Sequence, residues 1–194
     1  YDNKGNVTYA KDRKGVISTF EYDLFNRKTK QTTGTASTTY KYDALSNITE
    51  IQDASGIIKQ TYSLDGMLLS KQLPDGRTLG YVYDIKNRVV KMTDYFGQIT
   101  TYAYNQNDQL ISEKIGVYET KYTYYPNGRL YQVQFSNGVT EQNTYDSSGL
   151  LTQRVYLNQT GAVISNFVYT YDANGNRITE NGDTRRRRSS APRS

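Results

Sequence analysis

Six aspartates that directly follow a tyrosine are the residues of this sequence that most suggest catalysis: Asp2, Asp23, Asp43, Asp84, Asp146 and Asp172. Carboxylates can serve as general acids or bases and as metal ligands. Catalysis, however, needs one asymmetric constellation of groups, whereas these residues recur once in every copy of a short repeat. An Asp beside a turn more simply accepts hydrogen bonds from backbone N–H groups and fixes that turn.

The composition lacks the usual partners of a catalytic carboxylate. The 194 residues include no His and no Cys, which removes the commonest general base, disulfides and thiolate metal ligands. A glycosidase would need two carboxylates, and nothing distinguishes the pair Asp172 and Glu180 from solvated strand residues. We therefore expect no catalytic residue, no cofactor and no metal site, and we expect that the chain is not an enzyme.

The 20 tyrosines favour one of two roles. Their rings could bind sugars or aromatic ligands, or they could pack one face of a β-sheet. Tyr131 and Val133 alternate with Gln132 and Gln134, as expected of half-buried strands. This alternation favours packing, and binding to carbohydrate or to a cell surface remains the alternative.

The net charge of +5 comes from the end of the chain. Arg185–Arg188 and Arg193 supply five of the 24 basic residues, so the other 19 balance the 19 acidic ones. A neutral body argues against nucleic-acid binding, and no apolar run approaches the ~20 residues of a membrane span. We expect residues 183–194 to be a disordered basic tail, with a nucleic-acid or processing site as the alternatives for the Arg run. Because the chain begins at Tyr1, we expect it to be a piece of a longer polypeptide.

A phrase of the form Tyr-Asp-x-x-Gly-x-Leu recurs along the chain. Its first tyrosine falls at positions 1, 22, 42, 62, 83, 104, 124, 145 and 171, so that seven intervals are 20 or 21 residues and the last is 26. A fixed period of this kind indicates a repeat architecture. The positions for which we predict a structural role are Tyr1, Asp2, Gly5, Tyr22, Asp23, Tyr40, Tyr42, Asp43, Tyr62, Gly66, Tyr81, Tyr83, Asp84, Tyr102, Tyr104, Tyr122, Tyr124, Gly128, Tyr145, Asp146, Gly149, Tyr169, Tyr171, Asp172 and Gly175.

Four copies of the phrase replace its glycine, by Asn26, Ser46, Asn87 and Asp108. Asn and Asp are the side chains that best tolerate a left-handed backbone. The pattern of replacement therefore predicts a positive φ at this position of every repeat. We further expect the Arg or Asn that follows, as in Arg27, Asn47, Arg88 and Arg129, to pair with a neighbouring Asp.

A second turn signal lies midway through each period, for example at Pro74-Asp75-Gly76 and Ser136-Asn137-Gly138. Two turns per period leave two segments of roughly 6 to 8 residues, the usual strand length. We predict an all-β array of consecutive antiparallel hairpins over residues 1–182, without helices. One short hairpin buries too little apolar surface to fold alone, so we expect equivalent tyrosines to stack from repeat to repeat.

The extended phrase Tyr-x-Tyr-Asp-x-x-Gly-Arg-Leu, seen best at residues 81–89 and 169–177, resembles the YD repeat, also called the RHS repeat. The resemblance covers the chain from Tyr1 to about Gly182 and rests on nine copies in register. The family includes bacterial Rhs and wall-associated polymorphic toxins, components of insecticidal toxin complexes, and teneurins. This sequence is most similar to the bacterial members.

The resemblance implies a curved, spiral β-sheet strip that forms part of a hollow shell. In toxin members the shell encapsulates or presents a C-terminal toxin, so the implied partners are the remainder of the same polypeptide, with cell-surface glycans as an alternative. Secretion or cell-wall association in bacteria is implied as well. Autoproteolysis is not carried over, because the Asp-Pro-x-Gly phrase is missing.

Overall fold

The computed structural model describes residues 1–184, and the regular elements among them are all β-strands. The chain divides into two units, Tyr1–Ile99 and Thr100–Ser194. β-Branched and aromatic residues fill the strands, and Gly, Asn and Asp separate them, as turn chemistry requires. The all-β series of hairpins expected from the sequence is therefore confirmed.

The first unit contains nine strands. They are β1 (Tyr9–Lys11), β2 (Ile17–Tyr22), β3 (Lys28–Thr33), β4 (Ala36–Tyr42), β5 (Ile48–Asp53), β6 (Gly56–Tyr62), β7 (Leu68–Gln72), β8 (Thr78–Tyr83) and β9 (Val89–Thr93). Each strand pairs antiparallel with the next one along the chain. Successive turns of such a meander lie at alternate edges, so all repeat-signature turns of this unit share one edge.

The second unit has the same meander topology. Its strands are β10 (Ile99–Tyr104), β11 (Leu110–Ile115), β12 (Tyr118–Tyr124), β13 (Leu130–Gln134), β14 (Thr140–Tyr145), β15 (Leu151–Leu157), β16 (Val163–Tyr171) and β17 (Arg177–Thr184). The hairpin of β15 and β16 has strands of 7 and 9 residues, which accounts for the one long repeat interval.

The two faces of the sheet differ in chemistry because side chains alternate along each strand. In the first unit Tyr40, Ile51 and Ile58 are directly opposite one another across three strands. On the other face Lys41, Glu50 and Lys59 are opposite, and Lys41 Nζ lies 2.8 Å from a carboxylate oxygen of Glu50. One face is thus aromatic and aliphatic, and the other is polar.

Burial is slight for a chain of this size. Among the described residues the buried apolar side chains are Val133 and Tyr169, and most tyrosines are half-buried. Among the described residues of each unit, the strands in contact are neighbours in the sheet, so the aromatic side chains are covered mainly by the side chains beside them.

The end of the array differs from the expectation. Residues 183 and 184, expected in the disordered tail, belong to β17, which runs from Arg177 to Thr184. Gly182 is opposite Phe167, and a Cβ at Gly182 would lie 2.6 Å from the Phe167 ring. The Phe167 ring thus packs against the strand glycine, as aromatic residues opposite a glycine do in other sheets. The rest of the expected basic tail, residues 185–194, lies outside the described residues.

Candidate functional site

The repeat-signature turn is built from a small set of backbone hydrogen bonds. In the turn that starts at Asp84, the N–H of Asp84 donates to the carbonyl of Arg88 at 3.0 Å, and the N–H of Asn87 donates to the carbonyl of Asp84 at 3.0 Å. This is a type I turn followed by one left-handed residue, a common hairpin connection. The same pair of bonds closes the turns that start at residues 2, 23, 43, 63, 105, 125, 146 and 172.

The left-handed residue of the turn is the one predicted from the sequence. The described non-glycine residues with positive φ are Asn26, Ser46, Asn87 and Asp108, at 62° to 68°. These are the four residues that replace the signature glycine, and the glycines kept at this position have φ between 78° and 89°. Backbone conformation therefore explains the residue choice at this position.

The signature aspartate braces its own turn. One carboxylate oxygen of Asp84 accepts hydrogen bonds from the N–H groups of Lys86 at 2.9 Å and Arg88 at 3.0 Å. Asp43 and Asp172 make the same two contacts in their turns. Where Asn105 replaces the aspartate, its side-chain oxygen takes both roles. The carboxylates are thus structural groups of the turn.

The second carboxylate oxygen is occupied by the residue four positions later. Asp84 accepts from Nε of Arg88 at 2.8 Å, and Asp43 accepts from the amide of Asn47 at 3.0 Å. These side-chain hydrogen bonds, followed by the backbone bonds, lower the pKa of both carboxyls from their ordinary value of 3.8 although desolvation opposes the shift. The expected pairing of Arg or Asn with an Asp is therefore found inside one turn.

Arg129 is different because Tyr125 stands at the position that is Asp in six of the other signature turns. Its guanidinium lies against Gly149 of the next signature turn, where a Cβ would be 1.7 Å from Nη2, and 5.8 Å from the ring centre of Tyr145. Tyr125 also reaches forward, and its hydroxyl donates to the carbonyl of Asn143 at 3.0 Å. This turn is fixed to the following repeat.

In other repeats, the residue that occupies the position of Arg129 also connects consecutive signature turns. Nη1 of Arg27 donates to the carbonyl of Asp43 at 2.9 Å, and Nε2 of Gln109 donates to the carbonyl of Gly128 at 3.0 Å. Both acceptors belong to the signature turn of the next repeat. Neighbouring turns are thereby held at a fixed spacing along the sheet edge.

The signature tyrosines provide a second link between repeats. The hydroxyl of Tyr42 donates to the carbonyl of Lys28 at 2.6 Å, and that of Tyr124 donates to the carbonyl of Leu110 at 2.7 Å. Each acceptor is six residues after the signature tyrosine of the preceding repeat. Four further tyrosines make the equivalent bond: Tyr22, Tyr83, Tyr145 and Tyr171.

These bonds revise the expectation that equivalent tyrosines stack on one another. At the six positions, the link to the preceding repeat is a hydrogen bond from hydroxyl to carbonyl. The ring of Tyr83 contacts Tyr81 of its own strand, with centroids 6.2 Å apart, and the ring of Tyr145 contacts Tyr125 edge-on. The acceptor of each tyrosine hydroxyl is a backbone carbonyl. Every residue has one, so the sequence does not indicate which carbonyl is bonded.

One buried polar cluster was not predicted. Asn143 is 1% exposed and Glu141 is 8% exposed, both on β14. Glu141 accepts from the amide of Asn143 at 2.9 Å and from the hydroxyl of Tyr156 at 2.8 Å, and it lies 3.3 Å from Nε of Arg154. Arg154 Nε also donates to Asn143 at 3.0 Å. Every charge and amide here has a partner inside the cluster, so its chemistry is that of a structural network.

The described surface offers shallow grooves. One of them, about 380 Å³, lies in the second unit and is lined by Glu119, Lys121, Gln134, Phe135 and Gln159 among others. Within residues 1–184 no group of three or more acidic side chains is placed to hold a metal ion. The same residues contain no helix long and apolar enough to cross a membrane.

No protein-family model and no curated protein matches this chain. Solved structures do match it. The three solved structures described next are less than 20% identical to this chain in sequence, so the likeness concerns the fold.

Three of the similar structures are chains of Tc toxins. TcdB2-TccC3-TEV matches with a TM-score of 0.79 and 19% identity, covering 94% of this chain and 11% of that one. TcdB2-TccC3 without its hypervariable C-terminal region gives 0.78 and 19%, with the same coverage. The Tc holotoxin pore of Photorhabdus luminescens gives 0.62 and 19%, covering 95% and 12%. The likeness confirms the YD-repeat fold, and the chain spans about a tenth of the length of these solved chains.

Proposed function

We propose that this chain is a wall segment of a YD-repeat shell that encapsulates or presents a C-terminal toxin of a bacterial Rhs or wall-associated polymorphic toxin. The observation that carries the proposal is the half-exposed aromatic face of a sheet in which Val133 and Tyr169 are the buried apolar side chains described. Such a face needs a covering, and an enclosed polypeptide supplies one. The two links between repeats keep the wall stiff.

The mechanism of a wall is steric. It isolates an enclosed chain by blocking access, and this needs neither a catalytic group nor a cofactor. We accordingly propose that the chain is not an enzyme and that its partners are further repeats and the cargo of the same polypeptide. Its proposed location is outside the bacterial cell or at the cell wall. The Tc toxin chains of similar fold support this proposal.

Limited proteolysis of the longest polypeptide encoded in the same reading frame tests the function. We expect the segment after the repeats to resist protease in the intact polypeptide and to be cut when expressed alone. Weakening the wall with Tyr83→Phe and Tyr124→Phe should raise the cutting rate of that segment. Equal cutting rates in the intact polypeptide and in the isolated segment would contradict encapsulation.

A carbohydrate- or surface-binding module is the second candidate. The groove of about 380 Å³ favours it, because side-chain amides, Lys121, Glu119 and one aromatic ring, Phe135, line it together. Sugars are bound by such combinations of planar polar groups and rings. A glycan array with the purified chain should then show saturable binding that Phe135→Ala removes and Tyr118→Ala leaves intact. Absence of any saturable binding would exclude this candidate.

A further inference from the structure

Large apolar side chains stand exposed at the tips of four consecutive signature turns in the first unit. Leu24 is 85% exposed, Leu64 is 94% exposed and Ile85 is 102% exposed, with Phe25 and Leu45 at 78% and 59%. The turns connect β2–β3, β4–β5, β6–β7 and β8–β9, so the tips lie along one edge. We call these five side chains the apolar tip row.

Turn formation does not require apolar tips. In the second unit the residues at the first tip position are Gln106, Pro126, Ser147 and Ala173, and their turns are closed by the same backbone bonds. The tip-row side chains are more than half exposed, so they contribute little to the stability of the chain. A row of exposed large apolar side chains on four successive turns suggests an interaction surface.

Contacts between neighbouring signature turns hold three of the four turns of the tip row. Nζ of Lys4 donates to the carbonyl of Leu24 at 2.8 Å, which ties the first turn to the second. Arg27 reaches the carbonyl of Asp43 at 2.9 Å, and a Cβ on Gly66 would lie 3.6 Å from the side-chain oxygen of Asn47. Because signature turns are every second turn of the meander, their tips are separated by two strand spacings, about 9.6 Å. The row is therefore a pre-formed ridge with a fixed period.

We propose that the apolar tip row is a self-association surface that binds the same row of a second copy of this chain. A ridge with a ~9.6 Å period is matched along its whole length only by another ridge with that period, and the same repeats supply one. Two rows running antiparallel make an isologous contact with two-fold symmetry. The five side chains offer on the order of 700 Å², near the ~800 Å² per partner of a standard interface.

Sedimentation of the purified chain tests this proposal without reference to a toxin or a shell. The wild-type chain should dimerise in the micromolar range, and the triple change Leu24→Ser, Leu64→Ser and Ile85→Ser should weaken dimerisation at least tenfold. Phe96→Ser is the matched control, because Phe96 is 83% exposed on a turn at the opposite edge. A wild-type chain that stays monomeric at several hundred micromolar, or that instead binds phosphatidylcholine vesicles, would overturn the proposal.

Cysteine pairs keep the proposal testable if the triple variant fails to fold. The natural chain has no Cys, so Leu45→Cys with Leu64→Cys introduces two thiols on neighbouring tips. Tips ~9.6 Å apart are too distant for a disulfide within one chain, whereas an antiparallel partner brings residue 45 opposite residue 64. Oxidation should give a covalent dimer, and Thr35→Cys with Ser55→Cys at the opposite edge should not. Equal cross-linking of both pairs would contradict the assignment of the edge.

Discussion

The hydroxyl of Tyr83 donates a 2.8 Å hydrogen bond to the backbone carbonyl of Leu68, 15 residues earlier in the chain. Leu68 is the first residue of β7, directly after the preceding signature turn. The bond therefore attaches the signature tyrosine of one repeat to the residue that follows the signature turn of the preceding repeat. Because five other tyrosines make the equivalent bond, the tyrosine of the phrase has a polar role as well as a packing role.

Removing these hydroxyls should weaken the array without disturbing its packing. Tyr83→Phe and Tyr124→Phe should each lower the free energy of unfolding by about 1 kcal/mol, the usual net value of one hydrogen bond. Urea denaturation followed by circular dichroism measures the loss. Tyr118→Phe is the control, since its side chain is 67% exposed and it is expected to change nothing. If all three variants unfold alike, the hydroxyl bond does not stabilise the array.

The left-handed turn position should respond to substitution in both directions. Ser46→Gly should raise the free energy of unfolding by about 0.5 kcal/mol, because Ser46 has a φ of 68° that costs a side-chain-bearing residue roughly 1 kcal/mol or more. Gly128→Ala should lower it by about 1 kcal/mol for the same reason.

Gly80→Ala is the control for these turn variants. Gly80 lies within β8, and a Cβ there would meet its neighbours at 3.9 Å or more. Thermal denaturation should therefore show no loss of stability in this variant. A loss as large as that of Gly128→Ala would mean that the backbone angle is not the cause.

The turn carboxylates should make the fold sensitive to acid. Hydrogen bonds from Arg88, Asn47 and Asn176 side chains, together with turn N–H groups, lower the pKa of Asp84, Asp43 and Asp172 below 3.8. A carboxyl with a lowered folded-state pKa stabilises the fold above its unfolded value and loses that contribution as the pH falls through the folded value. Stability should thus be level from pH 7 to about 5 and decline below about 4.

Replacing the three aspartates by asparagine isolates this effect. Asn105 shows that an amide oxygen can accept the same two N–H bonds, so the variant should fold. Its stability should change less between pH 5 and pH 2.5 than that of the wild-type chain. A wild-type profile that is flat to pH 2.5 would show that these carboxyls do not contribute through their charge.

In the buried cluster, the effects of changing Arg154 and Glu141 on the free energy of unfolding should depend strongly on each other. Arg154→Met leaves the carboxylate of Glu141, which is 8% exposed, without its cation and should cost about 2 kcal/mol. Changing Glu141→Gln at the same time should recover part of that loss. A double-mutant cycle in urea measures the coupling. Lys41→Met is the control, since the Lys41 side chain is 70% exposed and an ion pair with so exposed a cation is worth less than about 1 kcal/mol.

Turn positions could be predicted from the sequence because turns are local. A type I turn followed by a left-handed residue depends on four or five consecutive residues, so replacement of Gly by Asn, Asp or Ser already reveals the required φ. Strand positions followed from alternation in the same way. The expected tail shows the limit, since its first two residues, Asp183 and Thr184, pair with Asn166 and Ser165 on another strand.

The links between repeats could not be predicted in detail. Tyr83 bonds a backbone carbonyl, and every residue carries one, so no residue type marks Leu68 as the acceptor. Glu141 and Arg154 belong to different strands, 13 residues apart, and each taken alone is typical of a solvated strand position. Only the register of β14 and β15 places both of them beside Asn143.

The sequence by itself determined the period of the repeat, the succession of hairpins and the residues of each turn, because these depend on backbone preferences within a few residues. The tertiary structure decided which atoms join one repeat to the next, where charges are buried, and that the tips of Leu24, Leu64 and Ile85 stand along one edge. Strand register sets these contacts, and register depends on residues that are far apart in the chain.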